Sequence, residues 1–309
     1  MSSTRKQDDL FRKTLADFGY EFKDGKLRNI RTGRPFEFVV HEGDQVYNQK
    51  HYEALGEVVT EEVYKLLESE CGLKKAPVPL KSKQKEPETF IFVSEDVGTN
   101  EKLMVLIHGS GVVRAGQWAR RLIINDSLES GTQIPYIKKA KKAGYAVLVM
   151  NTNDNYRIMK KERVFIKGSK TPECHAHYVW EHYVQSTAAK HIALVAHSYG
   201  GCVTTSLFQK FKKDFRDSRV ISHLRTSLSH LCSSVLYCTP SEIFSVMVLD
   251  LVFSPPPGHR PSLSNILSLP TWTSPPPSLN ILSLPHLDIP LLSLNILSLP
   301  HLDIAPSLS

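Results

Sequence analysis

The sequence contains no run of 18 uncharged apolar residues. Its best candidate, 243–253, is short and carries Asp250, which excludes a membrane span on the usual length argument. No apolar stretch follows the charges of the first nine residues, so a secretory leader is not expected there. Cysteine is scarce. The five thiols (71, 174, 202, 232 and 238) include no Cys-x-x-Cys pair and read as reduced residues of cytosol or nucleus rather than a disulfide framework. Charge is missing from one end. Beyond residue 240 the only base is Arg260, and the only acids are Glu242, Asp250, Asp288 and Asp303. Residues 1–240 hold 37 bases against 27 acids, whereas 12 of the 19 prolines fall at 255–306. The excess of positive charge permits an acidic partner; by itself it leaves direct contact with nucleic acid open.

What is present in 1–217 is patterned. Residues 8–18 have helical spacing of Leu10, Phe11, Leu15 and Phe18, and Asp24-Gly25 between alternating segments predicts a hairpin over 20–30. A long helix is expected over 48–71, stopped by Gly72, followed by a Lys/Pro-rich connector over 74–88. From residue 89 strands and helices alternate as a parallel sheet requires. Strands are expected at 90–93, 103–107, 145–150 and 191–196, and helices at 134–143, 174–190 and 200–215. The basic stretch 157–172 reads as an exposed loop. Lys138, Lys139, Lys141 and Lys142 read as a solvated helix face. Beyond 217 the pattern fails. Residues 278–289 reappear at 293–304 as a 15-residue repeat with proline in each copy, a low-complexity tail expected to be disordered or adhesive. The organisation is therefore 1–88, a helix/hairpin/helix region; 89–217, half of an α/β-hydrolase-like three-layer sandwich; and 218–309, a divergent tail.

Two motifs carry chemistry. The strand at 191–196 runs into Ala196-His197-Ser198-Tyr199-Gly200-Gly201, the strand–turn–helix layout of a nucleophile elbow. The small Ala196 and Gly200 flank Ser198, whose hydroxyl would stand at a helix N-terminus where backbone N–H groups favour negative charge. The second motif, His108-Gly109-Ser110-Gly111, follows another buried strand and matches a loop that offers backbone N–H groups to an oxyanion; the amide of Tyr199 would be the other donor. A triad also needs an acid and a histidine after later strands. None of the histidines or acids beyond Ser198 stands at the end of a recognisable strand, so the serine lacks a base and an inactive site is expected. Glu173, Cys174, His175 and His177 open a helix and are read as a helix start, without a metal. No cofactor is expected.

With those residues in view, 17–215 resembles the Arb-two (argonaute-binding) domain family, the FAM172 proteins. The resemblance is carried by 48–57, by 102–125 (Lys-Leu-Met-Val-Leu-Ile-His-Gly-Ser-Gly-Val-Val-Arg-Ala-Gly-Gln-Trp-Ala-Arg-Arg-Leu-Ile-Ile-Asn), by 130–135 and by 195–201. It implies an α/β-hydrolase-like fold with Ser198 at the family's nucleophile position. It also implies argonaute, chromatin and splicing proteins as partners in small-RNA-linked silencing or alternative splicing, and residence in nucleus and cytoplasm. The family's next strand, ending in Thr-Asp-Ser, and the later sheet with its histidine have no counterpart seen after residue 217. The chain then looks like a shortened second copy, in which the strand at 191–196 would be an open sheet edge. Two other readings follow: a serine ester or amide hydrolase, and the inert product of a decayed gene copy.

Overall fold

The computed structural model of the chain describes residues 13–82, 85–216, 220–222 and 247–248. The helix expected over 8–18 lies partly outside them; within them a 3-10 turn, Ala16–Phe18, forms instead. The predicted hairpin is present, with β1 (Tyr20–Lys23) antiparallel to β2 (Lys26–Asn29). Asp24 and Gly25 both adopt positive φ, as a two-residue turn matching strand twist requires. The helix α1 (Gln45–Ser69) begins where the Asp44 carboxylate accepts the Tyr47 N–H at 2.9 Å. It buries Leu55, Val59, Val63 and Leu67 completely, and Gly72 follows its end at φ +61°.

The Lys/Pro-rich connector is not a connector. Leu73–Val78 forms β3, antiparallel along its whole length to β4 (Thr89–Ser94). The reason is position: β3 ends the described strand order, and an edge strand tolerates exposed Lys74, Lys75 and a proline that cannot donate to the ladder. Next come β5 (Lys102–Ile107), two short helices the periodicity did not reveal, α2 (Arg120–Asn125) and α3 (Leu128–Gly131), then α4 (Ile134–Lys142) and β6 (Ala146–Val149). The stretch expected as a basic loop contains a hairpin, β7 (Tyr156–Met159) with β8 (Glu162–Phe165). The helix expected over 174–190 is shorter. It forms α5 (Pro172–Val179) and then widens into a π turn, Trp180–Val184. After β9 (His191–Ala196) come α6 (Gly200–Lys210) and α7 (Lys212–Arg216).

The sheet runs β3-β4-β6-β5-β9, with β4 antiparallel to its neighbours β3 and β6, and the β6-β5-β9 centre parallel. The expected open edge at β9 is covered. A short β10 (Val220–Ser222) pairs in parallel with Ile192–Leu194, and β11 (Met247–Val248) pairs in parallel with Val195 and Ala196. The rest of the region beyond 216, including the repeats, lies outside the described residues. The two faces of β5 show why the domain has three layers. Met104 and Leu106 join the cluster of α1, the β1–β2 hairpin and α4, whereas Leu103, Val105 and Ile107 join that of α5, the π turn and α6. Among the described residues no helix is long and apolar enough to cross a membrane.

Candidate functional site

The turn between β9 and α6 is left-handed and tight. Ser198 takes φ +53°, a left-handed conformation that costs a non-glycine residue about 1–2 kcal/mol, and its side chain is exposed between β9 and α6. Gly200 shows why the turn is tight. A Cβ there would lie 2.7 Å from the carbonyl oxygen of Ile107 and 2.9 Å from that of His108, so helix and loop touch through backbone. Gly109 has the same role from the other side, because a Cβ on it would sit 3.1 Å from Cβ of Ser198. The glycine loop and the serine turn, about 90 residues apart in sequence, are therefore in van der Waals contact. Among the described residues, no group accepts from the backbone N–H of Gly109, Ser110 or Gly111. Relief of the turn's strain gives a direct test. Ser198→Gly is expected to be about 0.5–1 kcal/mol more stable than Ser198→Ala in urea melts, and equal stabilities would contradict a left-handed Ser198.

The floor beneath the loop is polar, with His108, Asn151, Thr152, Ser169 and His175 buried and Asn153 half-buried. The Nδ1 of His108 donates to the Gly109 carbonyl at 2.8 Å, and Nε2 faces the Thr152 hydroxyl at 3.5 Å. The side-chain amide of Asn153 donates to the carbonyls of Gly109 (2.9 Å) and Val113 (3.1 Å), clamping the loop at two points. One layer deeper, His175 accepts the Asn151 N–H at 3.1 Å, and its Nδ1 lies 2.9 Å from the Ser169 hydroxyl, which itself donates to the Asp154 carbonyl. Burial pushes His108 down to about 4 and His175 down to about 3, so both are neutral structural rings. Their folded values lie below the ordinary 6.5. The stability they contribute is complete above about pH 6.5 and is lost as pH falls through 4 and 3, at up to about 1.4 kcal/mol per pH unit for each ring. Urea melts between pH 7 and 4.5 should show this slope, and His108→Asn should reduce it by about half, leaving the share of His175; an unchanged slope would refute the assignment.

The residue pattern pointed to the serine and the loop; it gave no place beside them to Asn151, Thr152 and Asn153, and it read His175 only as part of a helix start. The asparagines at 151, 153 and 155, immediately after a buried strand, were the available signal, since amides at a strand end can tie loops together. The group at 173–177 is dispersed among separate partners. Glu173 accepts from the Tyr199 hydroxyl at 2.6 Å; burial alone would raise its pKa, but this bond and those from its own backbone and Thr171 hold the carboxyl below the usual range. His177 bonds the Ser206 hydroxyl at 2.9 Å, and Cys174 is exposed. Ala196 is fully buried beneath the elbow, His197 packs against Trp118 with ring centroids 6.1 Å apart, and Gly201 is buried in the first turn of α6. The lysine face of α4 is exposed, yet Lys138 pairs with Glu70 and Lys141 donates to the Cys71 carbonyl at 2.6 Å, tying α4 to the end of α1. No acid or histidine among the described residues accepts a hydrogen bond from the Ser198 hydroxyl.

A mixed sheet of this order, with a left-handed serine between strand and helix and a glycine loop against it, defines an α/β-hydrolase-like domain. The chain belongs to the Arb2 domain family, which it matches over residues 11–231. It is 42% identical over 271 positions to the cotranscriptional regulator ARB2A of Mus musculus, covering 71% of this chain and 65% of that one. The Homo sapiens protein of the same name is 42% identical over 257 positions (67% and 62%), and a FAM172 family protein homolog of Caenorhabditis elegans 48% over 210 (67% and 63%). The chain thus spans somewhat less than two thirds of these relatives. Among solved structures, a carboxylesterase cloned from a metagenomic library matches with TM-score 0.30 and 12% identity, covering 55% of this chain and 53% of that one.

Proposed function

We propose that the chain is a nuclear regulatory protein of the Arb2 type that works by binding, with its hydrolase-like site serving as a recognition surface. The cotranscriptional regulators among its relatives support the regulatory part. The observation that carries the binding part is the Ser198 hydroxyl: it is exposed on a left-handed turn, yet among the described residues no base takes its proton. A serine without a base is a weak nucleophile at neutral pH. The exposed rim of Ser198, Tyr199, Ser110 and Val112 over a rigid floor suits a docking surface. Argonaute, with chromatin and splicing proteins, is the partner class proposed from the family resemblance, in small-RNA-linked silencing or alternative splicing, and a cytoplasmic share of the protein is proposed on the same ground.

The test uses the purified full chain and a fluorophosphonate probe. No labelling is expected at Ser198, and argonaute should co-purify equally with wild type and Ser198→Ala. Labelling that vanishes in Ser198→Ala would overturn the binding reading and favour the second one. That second reading, a serine ester or amide hydrolase with His108–Gly111 and the Tyr199 amide holding the oxyanion, draws on the strained φ of Ser198 and the contact with Gly109. Absence of peptides from 278–309 in cells expressing the transcript would instead support an inert gene-copy product.

A further inference from the structure

The β7–β8 hairpin is two-faced. On one side Arg157 anchors it to the body of the domain, donating to Asp154 Oδ2 at 2.8 Å and to the Glu88 carbonyl at 2.7 Å. Residues of opposite parity, Tyr156 and Ile158 on β7 with Arg163 and Phe165 on β8, share the other face through the register Tyr156↔Phe165 and Ile158↔Arg163. That face is apolar, aromatic and open: Tyr156 is 40% exposed, Ile158 65% and Phe165 45%. Cations surround it. The Arg163 guanidinium lies 4.2 Å from the Tyr156 ring centroid, and the Lys170 ammonium 5.7 Å from that of Phe165. Lys160 and Lys161 form the turn, both at positive φ (50° and 68°), where Asn-Gly would be the unstrained choice. Lys160, Lys161, Arg163, Lys167 and Lys170 are exposed, and among the described residues none is in an ion pair; Glu162 is the one acid within 156–170.

We infer that this hairpin is a stacking platform for single-stranded nucleic acid, with Tyr156 and Phe165 taking unstacked bases and Lys160, Lys161, Arg163 and Lys170 taking the phosphates. Charge complementarity selects a polyanion, and the aromatic pair selects one with planar faces to offer. The two ring planes are inclined at 72° with centroids 6.5 Å apart, an arrangement that cannot face two neighbouring bases still stacked in parallel, so the rings address bases drawn out of their stack. A duplex, whose base faces are already covered, gains only the phosphate contacts. An acidic peptide gains only the charge.

The experiment is fluorescence anisotropy of the full-length chain with labelled oligouridylate and oligodeoxythymidylate of about 12 nucleotides, within the usual range of single-strand site sizes. A duplex RNA of equal length and a polyglutamate peptide are the comparisons. Single strands should bind at least tenfold tighter than either comparison, with log affinity falling against log salt at a slope of about −2 to −3 for three to four phosphates. Tyr156→Ala with Phe165→Ala should weaken binding about tenfold or more at fixed salt and leave the slope intact. Lys160→Gln with Lys161→Gln should instead reduce the slope by about one. Both double variants alter exposed hairpin residues, and a melting temperature equal to wild type identifies them as folded. Single-strand binding unaffected by the aromatic pair, equal binding of polyglutamate, or no binding to any strand would overturn the proposal.

Discussion

Trp180→Ala is expected to cost about 3–5 kcal/mol, the range for truncating a fully buried large aromatic. For a domain of this size that lowers the melting temperature by roughly 6–20 °C. The indole is completely buried in the π turn, stacked with Phe215 at 5.3 Å and Phe211 at 6.1 Å between ring centroids. Its Nε1 donates at 2.7 Å to the Asp214 carboxylate, which also accepts from Gln185 at 2.8 Å. The tryptophan therefore joins the end of α5 to α7 and the close of α6. Removing it loosens the two helices whose opposite ends carry Glu173 and the elbow. Trp180→Phe keeps most of the volume and loses one hydrogen bond, so about 1–2 kcal/mol is expected. Thermal melts of the two variants discriminate packing from polarity: a drop below about 3 °C for Trp180→Ala would show that the stack is not a keystone.

Gly200→Val should be comparably damaging, at about 3 kcal/mol or more, for a different reason. The contacts that a Cβ would meet, 2.7 and 2.9 Å away, are the main-chain oxygens of Ile107 and His108, which cannot swing aside as a side-chain end would. Accommodating the side chain requires α6 to lift from the end of β5, which separates Ser198 from the glycine loop. Gly200→Ala is expected to cost about 1–3 kcal/mol. Gly98→Ala supplies the control, since nothing lies within 4 Å of a Cβ there, and its effect should stay within about 0.5 kcal/mol. Equal melting temperatures for Gly200→Val and Gly98→Ala would refute the close approach.

The buried strands β5, β6 and β9 and the elbow were legible in the sequence because their signals are local: uninterrupted apolar runs, and a serine flanked by small residues at a strand end. The same locality explains the failures. In β3, Leu73, Ala76 and Val78 are diluted by Lys74, Lys75 and Pro77, and only its place at the edge of the sheet makes that composition a strand. The β7–β8 hairpin lacks the Asn-Gly or Asp-Gly turn that made β1–β2 obvious; its turn is two lysines, so a composition rule assigns a loop. The closure of the β9 edge by Val220–Ser222 and Met247–Val248 depends on pairing between segments distant in sequence, for which three and two residues carry no periodicity. Asn153 was a weak signal for another reason. Its importance lies in the two carbonyls it holds, and a polar side chain's partners are a property of the fold rather than of its neighbours in the chain.

The strand order also sets a timetable for synthesis. β5 meets β6 on one side after about 40 residues of further chain, but its other partner, β9, begins only at His191, about 80 residues after β5 is complete. At roughly 5–20 residues per second, one flank of a strand buried at five of its six positions waits on the order of 4–16 s for its neighbour. During that interval the nascent chain presents Met104 to Ile107 beside an unsatisfied row of backbone donors and acceptors, so a ribosome stalled before residue 191 would hold an aggregation-prone intermediate, a natural client for chaperones that bind extended apolar segments.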